Sequence, residues 1–292
     1  MPDQESSTRY IIVGMQRSGT TATHYCLREH PSVSAVKKEV GIEPFLTNGL
    51  STFTFGKKGT KAEQEHGISA LFDAMTSIQR TEERLARGMK LAVPTPVLAE
   101  EFVVGVQAHL PDARVVHVDR HDAIARYASL QKSKRTGTWR KTGNETLHSH
   151  PRLWLDPEKF AEYVIDSSRI RETLGRLRET HEVLSLSYED VILNGELATY
   201  DPLFEFVGVE PKEATWLEDQ KLSPPPQDYV ENYDELARRW EMLRQKLKQG
   251  ESPEALRTRY GVSGVKSFGR SAWFWLRRPG YAAYRLEQAL ID

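Results

Sequence analysis

Tyr10-Ile11-Ile12-Val13-Gly14-Met15-Gln16-Arg17-Ser18-Gly19-Thr20-Thr21 is the stretch that decides the fold. Its first four residues form a short, β-branched apolar run, the form taken by a strand buried on both faces of a parallel sheet. Gly14 ends the run, and residues 20–29 read as a helix that stops at His30-Pro31, because the residue before a proline disfavours helical backbone. Strand, glycine-bounded turn and helix make the first half of a βαβ unit. Such a turn gathers free backbone N–H groups and the positive end of the helix dipole around one point, so Arg17, Ser18, Gly19, Thr20 and Thr21 are read as an anion cradle. The Gly-x4-Gly spacing followed by two hydroxyl residues imitates the phosphate loop of nucleotide enzymes, but Thr20 stands where the lysine that reaches the β- and γ-phosphates belongs. The cation lies inside the loop instead. As Arg17, its planar guanidinium can bridge a 5′-phosphate and a transferring group.

Working outward, further strands are expected at residues 89–93, 115–118 and 183–186, with helices at 63–87 and 98–109 between them. This alternation is the sequence form of a parallel sheet covered by helices. Phe160, Tyr163, Val164, Ile170, Leu174 and Leu177 keep helical spacing, which predicts a surface helix pair over 157–180. Ser223-Pro224-Pro225-Pro226 is a stiff loop, and a helix over 233–248 follows it. The fold class is therefore α/β: one domain over residues 9–250 with a central parallel sheet flanked by helices, then a basic and aromatic appendage over 251–292.

Composition narrows the function classes. Forty basic against 41 acidic residues leave a net charge of −1, so no global field attracts nucleic acid, and any anion site must be local. Hydrophobic residues at 39% and charged residues at 28% fit a globular chain with a sizeable core and argue against disorder. Cys26 is the sole cysteine, which excludes an internal disulfide framework and a cysteine zinc cluster. The nine histidines lack metal-ligand spacing, so no metal is expected, and no Gly-x-Ser-x-Gly elbow marks a serine hydrolase. The first seven residues lack the basic and apolar regions of a signal peptide, and no apolar run approaches the ~20 residues of a membrane span. A cytoplasmic location is expected.

The segment Arg17 to Thr21, placed between strand and helix, resembles the 5′-phosphosulfate loop of the sulfotransferase family, whose donor is 3′-phosphoadenosine 5′-phosphosulfate (PAPS). Leu27-Arg28-Glu29-His30-Pro31 and Lys38-Glu39 are similar to stretches of its bacterial and carbohydrate-acting members. The resemblance implies a P-loop NTPase-like fold and a second donor contact, an arginine at a strand end with a serine on the next helix. Arg120 and Ser129 match, and an always-charged fork with a nearby hydroxyl can converge on one phosphate. Arg120-His121-Asp122, Ser129-Leu130 and Thr136-Gly137-Thr138-Trp139 resemble the trehalose-type branch. Tyr188, in Leu186-Ser187-Tyr188-Glu189-Asp190-Val191, matches a further family segment and is carried over as a donor contact.

Sulfuryl transfer needs a base for the acceptor and positive charge on the departing phosphate. Arg17 suits the second task. Cytosolic family members place a histidine at the strand corresponding to Lys90-Leu91-Ala92-Val93, and none is present there. The resemblance to the carbohydrate-modifying branches then implies a glutamate, with Glu39 and Glu43 as the two candidates. The acceptor class is a small molecule, a carbohydrate or a lipid-linked sugar. Two rivals stand beside this reading: a kinase-like phosphotransferase, for which Asp119 is the nearest carboxylate at a strand end, and a non-catalytic nucleotide-binding or partner-docking protein. Basic residues Lys132, Lys134, Arg135, Arg140 and Lys141 surround Trp139 as a solvated helix end or a lid over the site. Residues 264–286 interleave arginines with aromatics, which is compatible with weak membrane-surface contact or with packing on the core.

Overall fold

The apolar run of residues 10–13 sits inside an eight-residue strand, β1 (Thr8–Met15), at the centre of the sheet. The computed structural model describes residues 7–35, 85–136, 152–193, 200–212 and 224–260. Within them, β1 is followed by α1 (Thr20–Arg28), β2 (Val33–Ala35), β3 (Ala86–Val93), α2 (Pro96–His109), β4 (Arg114–Asp119) and α3 (Ala123–Thr136). Then come α4 (Pro157–Gly175), β5 (Val183–Ser187), α5 (Asp201–Val207), α6 (Tyr233–Lys248) and α7 (Pro253–Arg259). The five strands are parallel and lie in the order β2-β3-β1-β4-β5, with helices on both faces, as expected for a P-loop-like α/β domain.

Alternation along β1 explains why its sequence is apolar throughout. Ile11 and Val13 face one layer, with Phe102, Val103 and Val106 of α2 and Ile170 and Leu174 of α4. Tyr10 and Ile12 face the other, with Cys26 and Leu27 of α1 and Leu203, Phe204 and Val207 of α5. Both faces of the strand are covered, so no polar side is needed. Caps fix where the long helices begin. Thr95 Oγ1 accepts from the Leu98 N–H (3.3 Å) ahead of Pro96 in α2, and Asp156 accepts from Glu158 (2.9 Å) and Lys159 (3.3 Å) ahead of Pro157 in α4.

Two expected elements are corrected. The helix expected over 63–87 cannot run to its end, because Ala86 and Arg87 already belong to β3 and pair with Thr8 and Arg9. Residues 157–180 form no helix pair: α4 is one continuous helix that tightens into a 3₁₀ turn at Arg176–Glu179. Nor is α4 simply a surface helix, since Phe160, Ala161 and Val164 lie in a third core cluster with Tyr127 of α3 and Leu236 and Leu243 of α6. In the stretch beyond residue 250, α7 packs on α4, with Leu256 buried and Arg257 paired to Asp166 at 3.2 Å. Residues 261–292, including the aromatic and basic segment 264–286, lie outside the described residues. Among the described residues no helix is long and apolar enough to cross a membrane.

Gly14 is required by a close approach. A Cβ there would overlap the carbonyl oxygen of Val118 on the neighbouring strand, a backbone atom that cannot swing aside, and would press on Ser18 Oγ. Gly14→Ala should therefore lower stability by about 1–3 kcal/mol, the usual range for overpacking. Urea unfolding measures this directly, and an unchanged midpoint would show that β1 and β4 can separate without loss.

Candidate active site

All five strands point the same way, so the loops leaving their carboxyl ends share one edge. The turns after β1 and β4 lead to opposite sides of the sheet, and the crevice they leave is where open α/β sheets bind ligands. Arg17 leaves the end of β1 and Arg120 the end of β4.

The first turn is tightly held. The Ser18 N–H and Oγ both donate to the Met15 carbonyl, at 3.2 and 2.7 Å. Ser18 therefore closes the loop with its hydroxyl. Arg17 adopts a left-handed backbone (φ 67°), uncommon for a residue with a side chain, and Gly19 follows at φ 98°. Gly19 is the N-cap of α1 and offers no side-chain acceptor, and the first turn of α1 carries no acidic residue. The helix start is thus left open to an anion. Thr20 is buried, and Thr21 Oγ1 accepts a 2.8 Å hydrogen bond from Lys90 Nζ.

A hydrogen bond joins the two halves of the crevice. Arg17 Nε donates to Ser129 Oγ at 3.0 Å, across 112 positions of sequence. Ser129, expected to act with Arg120, is here bonded to Arg17. Arg120 lies with its guanidinium carbon 4.2 Å from the centre of the Tyr188 ring. Its Nε–H is buried and has no hydrogen-bond partner among the described residues. A buried donor without a partner costs about 1–3 kcal/mol, so its position favours an incoming acceptor.

Asp119 immediately precedes Arg120 and is caged by arginines. It accepts from Arg171 Nε (2.7 Å) and from Arg126 Nη1 (3.2 Å), and Arg126 is only 1% exposed. Burial pushes the Asp119 carboxyl up, but the hydrogen bond and charge of Arg171, followed by the charge of Arg126, outweigh it and hold the group below the ordinary carboxylate range. A carboxylate so engaged is poorly placed to serve a magnesium ion, which counts against the kinase-like rival.

Several contributors were not legible beforehand. Lys90 is 3% exposed in the middle of β3, and the signal was a lysine inside a run otherwise fit for double burial. Lys132, from the basic run, is one helical turn beyond Ser129, and its ammonium lies 5.6 Å from the centre of the Tyr229 ring. Burial first, then the charge of Arg17, lower its pKa. Burial likewise pushes the Tyr229 hydroxyl up, against the opposing charges of Arg120 and Arg17. Nothing in the Pro-rich stretch before Tyr229 announced that position. His30 of the His-Pro pair takes a structural role, with Nδ1 accepting from the Ser32 N–H (3.1 Å) and Nε2 bonded to the Glu210 carbonyl (3.0 Å). Glu39 and Glu43, Gly137 to Trp139, and Arg140 and Lys141 lie outside the described residues. Among the described residues no cluster of histidine, cysteine or acidic side chains is arranged to hold a metal.

Comparison with known proteins bears on this crevice. The crystal structure of a sulfotransferase from Alicyclobacillus acidocaldarius superposes with a TM-score of 0.46 and 16% identity, covering 86% of this chain and 99% of that one. The sulfotransferase domain of the Synechococcus PCC 7002 olefin synthase gives a TM-score of 0.41 and 15% identity, covering 91% of each chain. No curated protein sequence matches at a significant level. The Sulfotransferase family itself matches over residues 10–214, from the first residue of the apolar run of β1 past the strand end that bears Arg120 and the Tyr188 segment to a point beyond α5. A match of that length makes the chain a member of the sulfotransferase family.

Proposed function

We propose that the chain is a PAPS-dependent sulfotransferase acting on a hydroxyl or amine of a carbohydrate, a lipid-linked sugar or another small molecule. The observation that carries this reading is the pair of cations at adjacent strand ends: Arg17, tied to Ser129, and Arg120, with a buried Nε–H that has no partner among the described residues. A donor with phosphate at both its 5′ and 3′ positions fits that pair and the uncapped start of α1. When bound, the donor supplies a sulfuryl group already attached to a phosphate leaving group.

The residues divide the remaining work. Arg17 and the N–H groups from Gly19 to Thr21, in a loop that Ser18 closes, hold the negative charge that builds on the departing 5′-phosphate, and they do so as fixed donors that need no reorganisation. Lys90 fixes the Thr21 hydroxyl. Arg120 and Ser129 grip the 3′-phosphate, and Tyr188 supports the Arg120 guanidinium from below. Glu39 or Glu43 takes the proton from the acceptor oxygen or nitrogen as that atom bonds to sulfur. No metal is invoked, because the positive charge is supplied by side chains.

Calorimetry in EDTA tests the reading. 3′-Phosphoadenosine 5′-phosphate should bind about 10- to 100-fold more tightly than ADP, the worth of charge-assisted hydrogen bonds to one extra phosphate. Arg120→Ala should erase that preference and leave the unfolding transition in place. Equal affinities in the unmodified protein would overturn the assignment of the second half of the site.

A further inference from the structure

The two helix starts at the crevice are built in opposite ways. At α1 no side chain caps the first N–H groups. At α3, N–H groups in and just before the first turn are taken by carboxylates of the protein itself. Asp122 Oδ1 accepts from the Ala125 N–H at 2.8 Å. Just upstream, Glu189 reaches across from the segment after β5 and accepts from two successive peptide groups, His121 N–H at 3.1 Å and Asp122 N–H at 3.0 Å, one on each oxygen. Ser187 Oγ donates to the same carboxylate at 3.1 Å.

These peptide groups follow Arg120 directly and lead into the helix that carries Ser129. Arg120 is therefore fixed from both sides: Asp119 before it is held by Arg126 and Arg171, and the turn after it is held by Glu189. Tyr188, next to Glu189 in the chain, lies against the guanidinium. A glutamate this close to an arginine would ordinarily pair with it and cancel its charge. Here the Glu189 oxygens point at backbone and a serine, and among the described residues Arg120 forms no ion pair and its buried Nε–H no hydrogen bond. Burial raises the Glu189 pKa, but the N–H groups of Asp122 and His121 lower it further, so the carboxylate stays charged in this place.

We propose that Glu189 is a positioning residue of the donor site: its carboxylate fixes the turn between Arg120 and α3, and so aims Arg120 and Ser129 at the 3′-phosphate. The inference rests on the PAPS reading given above. One consequence separates the two ends of the donor. The 5′ end is read by open backbone together with Arg17, whereas the 3′ end is read mainly by side chains, because the His121, Asp122 and Ala125 N–H groups are already taken by carboxylates.

The test compares two nucleotides in the same variants. Glu189→Gln should weaken 3′-phosphoadenosine 5′-phosphate by about tenfold, the cost of one or two lost charge-assisted hydrogen bonds, while ADP affinity moves by less than about twofold. Ser187→Ala, which removes one of the Glu189 partners, should lower the ratio of the two affinities by about two- to threefold. A residue that merely holds the fold together would weaken both nucleotides alike. An unchanged ratio in Glu189→Gln overturns the proposal, and if that variant fails to fold, an unchanged ratio in Ser187→Ala overturns it. Failure of the underlying reading looks different: the unmodified protein itself then shows no preference for the 3′-phosphate.

Discussion

Glu39→Gln should slow turnover roughly 10²- to 10⁴-fold while donor affinity stays near its original value, the range seen when a positioned general base is lost. The chain leaves β2 at Ala35, on the same sheet edge as the ends of β1 and β4, because the strands are parallel. Glu39 follows four positions later. Glu43→Gln should then have a much smaller effect. Steady-state kinetics with calorimetric donor binding distinguishes the outcomes: the reverse ranking moves the role to Glu43, and near-normal turnover in both variants rejects a glutamate base.

Asp119→Ala carries the largest expected cost to stability, about 3–5 kcal/mol, because it strands a buried charge. Arg126 is almost wholly enclosed, and it forms an ion pair with this carboxylate at 3.2 Å. Replacing Arg126 with methionine in the same chain should recover much of the loss, since removing a whole buried pair is often close to neutral. The pH dependence follows from the same geometry. The folded carboxyl titrates below its unfolded value, so its contribution is present above about pH 4 and is lost as pH falls through the folded value. Urea unfolding as a function of pH should therefore lose stability steeply in acid for the unmodified protein and less steeply for Asp119→Ala. A single variant within about 1 kcal/mol of the original would remove Asp119 from the set of critical interactions.

The parts of the fold that were legible are those in which the local pattern alone decides. The run at residues 10–13 had to be a doubly covered strand, and the loop after it had to open a helix. Residues 233–248 form α6 over the expected span because their apolar spacing and the prolines before them leave little choice. Short elements escaped, among them β2 and α5. β2 has three residues and α5 has seven, too few for a period to declare itself, and both depend on the layer they pack against. Within the site, Arg17 could be named from the strand, turn and helix around it, and Arg120, Ser129 and Tyr188 from the resemblance to the sulfotransferase family. Lys90, Glu189 and the Asp119 cage could not, since their partners lie 69, 67 and 52 positions away in sequence. Only the sheet order brings them together.

Arg17 shows what the loop chemistry asks of the backbone. A left-handed φ of 67° is a conformation that glycine takes freely and that a residue with a Cβ occupies at a cost of about 1 kcal/mol or more. Judged by folding alone, glycine would be the better choice at position 17. Selection of random variants for heat resistance would thus tend to exchange this arginine for glycine, and selection for sulfuryl transfer would restore it. At this one residue the two pressures on the sequence pull in opposite directions.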